Sequence, residues 1–195
     1  MTGTHVSYRG TKPECDALKS GQLAISHLTL HGLWPNKKEC KERYGNCRDG
    51  QPFALSEDTQ QTMAPWMPNL FYESTFAKYE WDKHGVCQER APDEYFLLAR
   101  RLVEVVDESP IGAEIKANVG GSFSRRAFFA TLKQKLGEDV ARKVQLVCTG
   151  GKYLQEVRVY LPQKLSPEAG LAKLVSGAPL AATETKNCTG DTIAV

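Results

Sequence analysis

Two short segments of this chain concentrate residue types that exchange protons and hold anions. The first is His27-Leu28-Thr29-Leu30-His31-Gly32-Leu33-Trp34-Pro35-Asn36; the second is Tyr79-Glu80-Trp81-Asp82-Lys83-His84-Gly85-Val86-Cys87. In the second, Glu80, Lys83 and His84 stand at i, i+3 and i+4. On a helix they project from one face within reach of each other. An imidazole there takes or gives a proton near neutral pH, and an ammonium beside it holds a developing negative charge. The plain alternative is a solvated helix face, with Glu80–Lys83 a surface pair and His84 a cation at the helix end. In the first segment, strand periodicity puts His27, Thr29 and His31 on one side. Gly32 then lets the backbone turn and leaves space for a ligand, and Trp34 offers a flat surface for a stacked base. The alternative is a strand end with one satisfied histidine and a core tryptophan. Zinc is a further reading, since His27 and His31 are four apart, but that spacing suits a helix and the stretch reads as a strand. No HExxH pattern or third ligand accompanies them, so no metal and no cofactor is expected.

Taken together, two imidazoles with a cationic stabiliser can cleave RNA without a metal. One removes the proton of the 2′-hydroxyl, the other protonates the departing 5′-oxygen, and a lysine offsets the charge on the five-coordinate phosphorus. The nucleophile belongs to the substrate, so no serine or cysteine nucleophile is required.

The surrounding pattern suggests how these residues are held. Leu23 to His31 reads as a strand ended by Gly32 and Pro35. Ser56 caps a helix with Glu57 and Asp58 in its first turn and Pro65 as a stop. A helix is expected from Asn69 to about His84, and a stronger one from Pro92 to Asp107 with Tyr95, Leu98, Leu102, Val105 and Val106 on one side. Ser109-Pro110 opens a short helix towards Asn118, and Ser124 caps another from Arg125 to Leu136, stopped by Gly137. Lys143 to Cys148 and Tyr153 to Leu161 are β-rich, with Gly150-Gly151 as a hairpin turn, and Thr192 to Val195 suits a last strand. The fold class expected is α+β, a central antiparallel sheet with helices packed to one side, as one domain over residues 1–195.

Composition sets the limits. At 195 residues, 41% hydrophobic and 25% charged, the chain is long enough to bury its own core and is neither disordered nor fibrous in composition. No apolar run approaches the roughly 18 residues of a membrane span. A net charge of +2 does not by itself argue for a nucleic-acid partner, so any such role must come from a site. The six cysteines, Cys15, Cys40, Cys47, Cys87, Cys148 and Cys188, are even in number and contain no CxxC pair. They point to three disulfides and an oxidising compartment, against the alternative of buried free thiols. Spacing fixes no pairing.

With these residues in view, the chain resembles the ribonuclease T2 family, and within it the bacterial periplasmic branch. That family carries an HGLWP-type and an EWxKHGxC-type segment. Both are present in order as His31-Gly32-Leu33-Trp34-Pro35 and Glu80-Trp81-Asp82-Lys83-His84-Gly85-Val86-Cys87, with Trp66-Met67-Pro68-Asn69-Leu70 similar to a WPNL-like stretch before the second. Likeness to the bacterial branch rests on His27-Leu28-Thr29-Leu30 and Ser124-Arg125-Arg126.

The resemblance implies a disulfide-stabilised α+β ribonuclease fold and an endoribonuclease that acts on single-stranded RNA. The products it implies are 2′,3′-cyclic phosphates, slowly hydrolysed to 3′-phosphates, and broad base tolerance is expected. It makes His84 the general base, His31 the general acid, and Glu80 and Lys83 stabilisers of the transition state. Trp34 would stack a base, and His27, Tyr44, Pro68 and Asn69 are further candidates for contacting RNA. Two positions depart from the common pattern. Tyr79 stands where many members have a phosphate-holding histidine, and Asn36 where many have an aspartate that helps read the base. An amide offers both donor and acceptor where a carboxylate only accepts, so base preference does not transfer. The resemblance also pairs Cys47 with Cys87, Cys15 with Cys40 and Cys148 with Cys188. A monomer is the default expectation, with no obligate protein partner and no membrane association, and the cysteines together with the resemblance suggest the mature form of a periplasmic or secreted protein. Two competing classes are an RNA-binding or inhibitor-docking protein of the same fold and a metal-dependent phosphodiesterase.

Overall fold

The computed structural model describes residues 16–17, 20–21, 24–36, 45–48, 52–68, 70 and 76–195. Its helices are α1 (Glu57–Met63), α2 (Phe76–Lys83), α3 (Pro92–Asp107), α4 (Pro110–Ala117), α5 (Arg125–Leu136), α6 (Glu138–Ala141) and α7 (Gly170–Leu174). The strands are β1 (Ser122–Ser124), β2 (Val144–Thr149), β3 (Tyr153–Val159), β4 (Thr185–Lys186) and β5 (Thr192–Ala194), and 3-10 turns cover Gly85–Cys87 and Pro167–Ala169.

Local chemistry fixes four of the helix starts. Ser56, Ser109 and Ser124 each accept a hydrogen bond from a backbone N–H of the first turn, at Thr59, Ile111 and Ala127. These bonds satisfy donors that the helix itself leaves orphaned. Pro92 starts α3, where its missing N–H costs nothing, and Glu94 reaches back to accept from the Ala91 N–H at 3.3 Å. The long helix α3 buries Tyr95, Phe96, Ala99, Leu102 and Val105, a stripe that joins two apolar clusters. Tyr95 and Phe96 pack with Met63, Met67, Ala77, Trp81 and Val86. Leu102 and Val105 pack with α4, α5, β2 and Leu28.

The sheet has the order β1-β5-β3-β2-β4. The hairpin β2–β3 turns through the three residues 150–152, with Gly150 and Gly151 at positive φ, a conformation glycine adopts without steric cost. It is antiparallel, as is β1–β5. The short contacts β2–β4 and β3–β5 are parallel, so the α+β class holds while the sheet is mixed rather than wholly antiparallel. Between Val147 and Cys148 the register slips: Val147 faces Glu156, whereas Cys148 faces Leu154. Gln155 is the extra residue of a bulge that re-aims the side chains beyond it.

One expected strand is absent. Residues 24–36 form neither strand nor helix, because their backbone is bonded to other partners than a ladder. Leu28 N–H donates to Asp107 Oδ1 at 2.8 Å and Leu30 N–H to the Trp66 carbonyl at 2.7 Å. Within the Asn69–His84 stretch, the described helix runs over Phe76–Lys83.

Among the described residues two disulfides are present, Cys47–Cys87 and Cys148–Cys188, each closing a separation of 40 residues. Bridges of this kind contribute about 2–4 kcal/mol each. The pairing Cys15–Cys40 lies outside the described residues.

Asp107 is the strut beneath the first segment. It is buried, accepts from Leu28 N–H, and binds Lys116 Nζ at 2.7 Å. Asp107→Ala orphans a buried N–H and is expected to lower stability by about 2 kcal/mol, read as a shift of the urea midpoint at unchanged slope. An unchanged midpoint contradicts this role.

Candidate active site

The site forms where residues 31–36 cross helix α2, facing strand β3. Glu80 is its centre. Its side chain is only 2% exposed, Oε2 accepts from Trp34 Nε1 at 2.9 Å, and Oε1 lies 4.0 Å from His31 Nε2. Burial pushes the Glu80 carboxyl up. The Trp34 hydrogen bond and the charges of His31 and Lys83 partly offset this, while Glu156 adds to it. Such an approach demands glycine at position 32: a Cβ there would lie 2.1 Å from Glu80 Oε2 and 2.5 Å from Trp34 Nε1. Gly85 is constrained likewise, because a Cβ would meet the Trp81 ring at 2.3 Å, and Trp81 anchors α2 in the apolar cluster.

Both histidines meet Trp34 at this junction. His31 meets Trp34 edge-on at 5.1 Å between centroids and stacks with Phe76 at 5.9 Å. His84 is tilted against Trp34 at 5.5 Å. Its Nδ1 is buried with no hydrogen-bond partner among the described residues. Burial, with the charges of Lys83 and His31 acting in the same direction, lowers the His84 pKa to about 4. Lys83 is not paired with Glu80 across the helix face. Its ammonium donates to Tyr79 Oη at 2.7 Å and lies 5.0 Å from the Tyr79 ring centroid.

A clasp from residues 45–48 holds the end of α2. Asn46 N–H donates to the Lys83 carbonyl at 2.9 Å, Arg48 donates to the carbonyls of Val86 and Gln88, and Cys47 is bridged to Cys87. Tyr95 Oη reaches from α3 to donate to the Leu33 carbonyl at 2.5 Å.

Sequence reasoning missed two residues, both on β3. His31 Nδ1 is 2.6 Å from Glu156 Oε1, and Arg158 donates to Glu156 Oε2 through Nε at 2.9 Å. The Arg158 guanidinium also lies over the Trp34 ring, 5.2 Å from its centroid. Burial pushes the Glu156 carboxyl up, but the hydrogen bond and charge of His31, with those of Arg158, hold it below the ordinary carboxylate range. The available signal was two opposite charges two apart within a β-rich stretch.

Other expected contacts fall elsewhere. His27 stacks on Trp66 at 4.1 Å and donates from Nδ1 to the Leu28 carbonyl at 3.0 Å, so it is tied into the scaffold rather than joined to His31. Pro68 is buried beside Met67, which turns that part of the expected base site inward. Asn36 is exposed at the end of the segment. Tyr44 and Asn69 lie outside the described residues. Among the described residues, no group of three or more His, Cys, Asp or Glu side chains is arranged to hold a metal ion, and no helix is long and apolar enough to cross a membrane.

Comparison with known proteins places this geometry. The ribonuclease T2 family model matches residues 4–173. The chain belongs to the ribonuclease T2 family. This is a family of endoribonucleases, and its named relatives include Ribonuclease I of Escherichia coli, 26% identical over 80% of this chain and 68% of that protein. Ribonuclease 1 of Arabidopsis thaliana is 33% identical over 67% of this chain and 60% of that protein. The aligned region therefore spans roughly two thirds of these relatives. Among solved structures, the SF11-RNase of Nicotiana alata matches with a TM-score of 0.54 at 20% identity, covering 85% of this chain and 84% of that one. A variant of RNase MC1 in complex with 5′-GMP matches with 0.53 at 22%, covering 92% and 93%. At these identities the two structures establish the shared fold.

His84 carries a sign-definite pH effect. Its folded pKa of about 4 lies below the ordinary 6.5, so between these values the unfolded chain binds more protons. Stability from His84 is fully present above pH 6.5 and is lost as pH falls towards 4. An NMR titration of the His84 ring is expected to show a midpoint near 4; a midpoint near 6.5 would contradict the burial argument.

Proposed function

We propose that this endoribonuclease cleaves single-stranded RNA by proton exchange through His31 and His84. The supporting observation is the pair of imidazoles held against Trp34, with buried Glu80 bonded to the Trp34 N–H and the Lys83 ammonium at the helix end. At neutral pH His84 is an uncharged imidazole, the form that accepts a proton. In this reading His84 takes the proton of the 2′-hydroxyl, and the 2′-oxygen bonds to phosphorus. The bond from phosphorus to the 5′-oxygen breaks, and His31 in its imidazolium form gives that oxygen a proton from Nε2. The product ends are a 2′,3′-cyclic phosphate and a free 5′-hydroxyl. Slow hydrolysis to the 3′-phosphate runs with the two roles exchanged and water as the nucleophile.

Lys83, held by Tyr79, offsets the negative charge that grows on the phosphoryl oxygens. Glu80 supports the same charge stabilisation by accepting from Trp34 Nε1 and standing beside His31 Nε2. Trp34 acts chiefly through its N–H on Glu80, since Arg158 and His84 both lie against its ring. Asn36, exposed beside it, is left as a base contact, and broad base tolerance is part of this reading. No metal or cofactor takes part in this scheme. The protein is proposed to act as a monomer and as one catalytic domain over residues 1–195. The two disulfides support a periplasmic or secreted location.

Digestion of single-stranded RNA in excess EDTA, with fragment ends identified by mass, tests this reading. The expected result is cyclic phosphate ends from the parent and a loss of at least about a hundredfold in both His31→Ala and His84→Ala. Cleavage abolished by EDTA would refute the mechanism. No cleavage by folded, oxidised protein would favour an RNA-binding role.

A further inference from the structure

Strand β3 does more than fill the sheet. We propose that Glu156 is a positioning residue for His31: its carboxylate holds the Nδ1 proton and leaves Nε2 as the nitrogen that trades a proton with RNA. This rests on the reading of His31 as a proton-transfer group and concerns what sets its tautomer.

An ionised carboxylate only accepts hydrogen bonds. At 2.6 Å from Glu156 Oε1, Nδ1 must therefore carry the hydrogen. Nε2, facing Glu80, is then the acceptor in the neutral ring and the donor in the imidazolium. Without such a partner a neutral imidazole can protonate either nitrogen. The His31 side chain is 49% exposed, on a segment with no secondary structure, and its ring contacts with Trp34 and Phe76 do not select which nitrogen carries the hydrogen. Glu156 is the opposite case. It is 13% exposed, sits on a strand next to the bulge at Gln155, and has its second oxygen bound to Arg158 by Nε and Nη2, both at 2.9 Å. The arrangement is a relay of fixed direction: Arg158 can only donate, Glu156 can only accept, and Nδ1 is left to donate.

That one-way order makes Glu156→Gln a sharp variant, since it keeps shape and removes one acceptor. Arg158 has no acceptor to offer an amide N–H, so the glutamine oxygen must face Arg158. The NH2 then faces Nδ1 and forces it to accept, which moves the neutral-ring hydrogen to Nε2. A group that merely braced the fold would not change the tautomer.

The test combines two readouts on the full chain. Long-range 1H–15N NMR of the His31 ring is expected to show the Nδ1–H tautomer in the parent and Nε2–H in Glu156→Gln. On short single-stranded RNA, Glu156→Gln is expected to lower kcat by about ten- to a hundredfold with KM within about twofold, whereas Glu156→Asp recovers part of the loss. In a His31→Ala background the same change should cost less than about twofold, because its route to the chemistry is already gone. Cleavage by Glu156→Gln within twofold of the parent would overturn the proposal. So would an equal loss in the His31→Ala background, or Nε2–H in the parent. If the parent does not cleave RNA, the ribonuclease mechanism fails, and the tautomer readout alone decides the role of Glu156.

Discussion

Glu80 is almost wholly buried, and nearly every other feature of the site serves that burial. A carboxylate out of water needs partners, and here the Trp34 N–H bonds one oxygen while His31 lies 4.0 Å from the other. The contact requires that the backbone after His31 carry no side chain, which is why Gly32 stands between the histidine and the tryptophan. It also requires that α2 be seated deeply, which Trp81 and Gly85 achieve on the apolar cluster shared with Tyr95 and Phe96. The same junction places both imidazoles against Trp34 and depresses the pKa of His84 by excluding water from it.

The frame around the junction is tertiary rather than local. A segment with no strand or helix is pinned at Leu28 by Asp107, at Leu30 by the Trp66 carbonyl, and at Leu33 by the Tyr95 hydroxyl. Two of these three partners are on α3, so that helix aligns the first segment while it joins the two cores. The end of α2 is held from the other side by Asn46, Arg48 and the Cys47–Cys87 bridge.

Much of this was legible from sequence where the signal is local. The caps Ser56, Ser109 and Ser124, the start at Pro92 and the glycines of the hairpin announce themselves, because one residue type satisfies one backbone need. The types and spacing of His31, Glu80, Lys83 and His84 single them out, and the structure gathers them around Trp34 and the end of α2. What was not legible depends on partners far along the chain. The alternation at 23–31 reads as a strand, yet its N–H groups find Asp107 and the Trp66 carbonyl instead of a neighbouring strand. That leaves His27 stacked on Trp66 rather than sharing a face with His31. Glu156 and Arg158 are ordinary charges on a β-rich stretch until a one-residue bulge and a contact across 125 positions bring them to His31 and Trp34.

The central claim is that the substrate supplies its own nucleophile and the protein supplies only proton transfer and charge. The most direct measurement uses a single-stranded RNA that carries one 2′-deoxy linkage. The expected result is cutting at the neighbouring linkages, with cyclic phosphate ends, and none at the deoxy position. Cleavage at the deoxy linkage would contradict the claim, since no 2′-oxygen is there for His84 to activate.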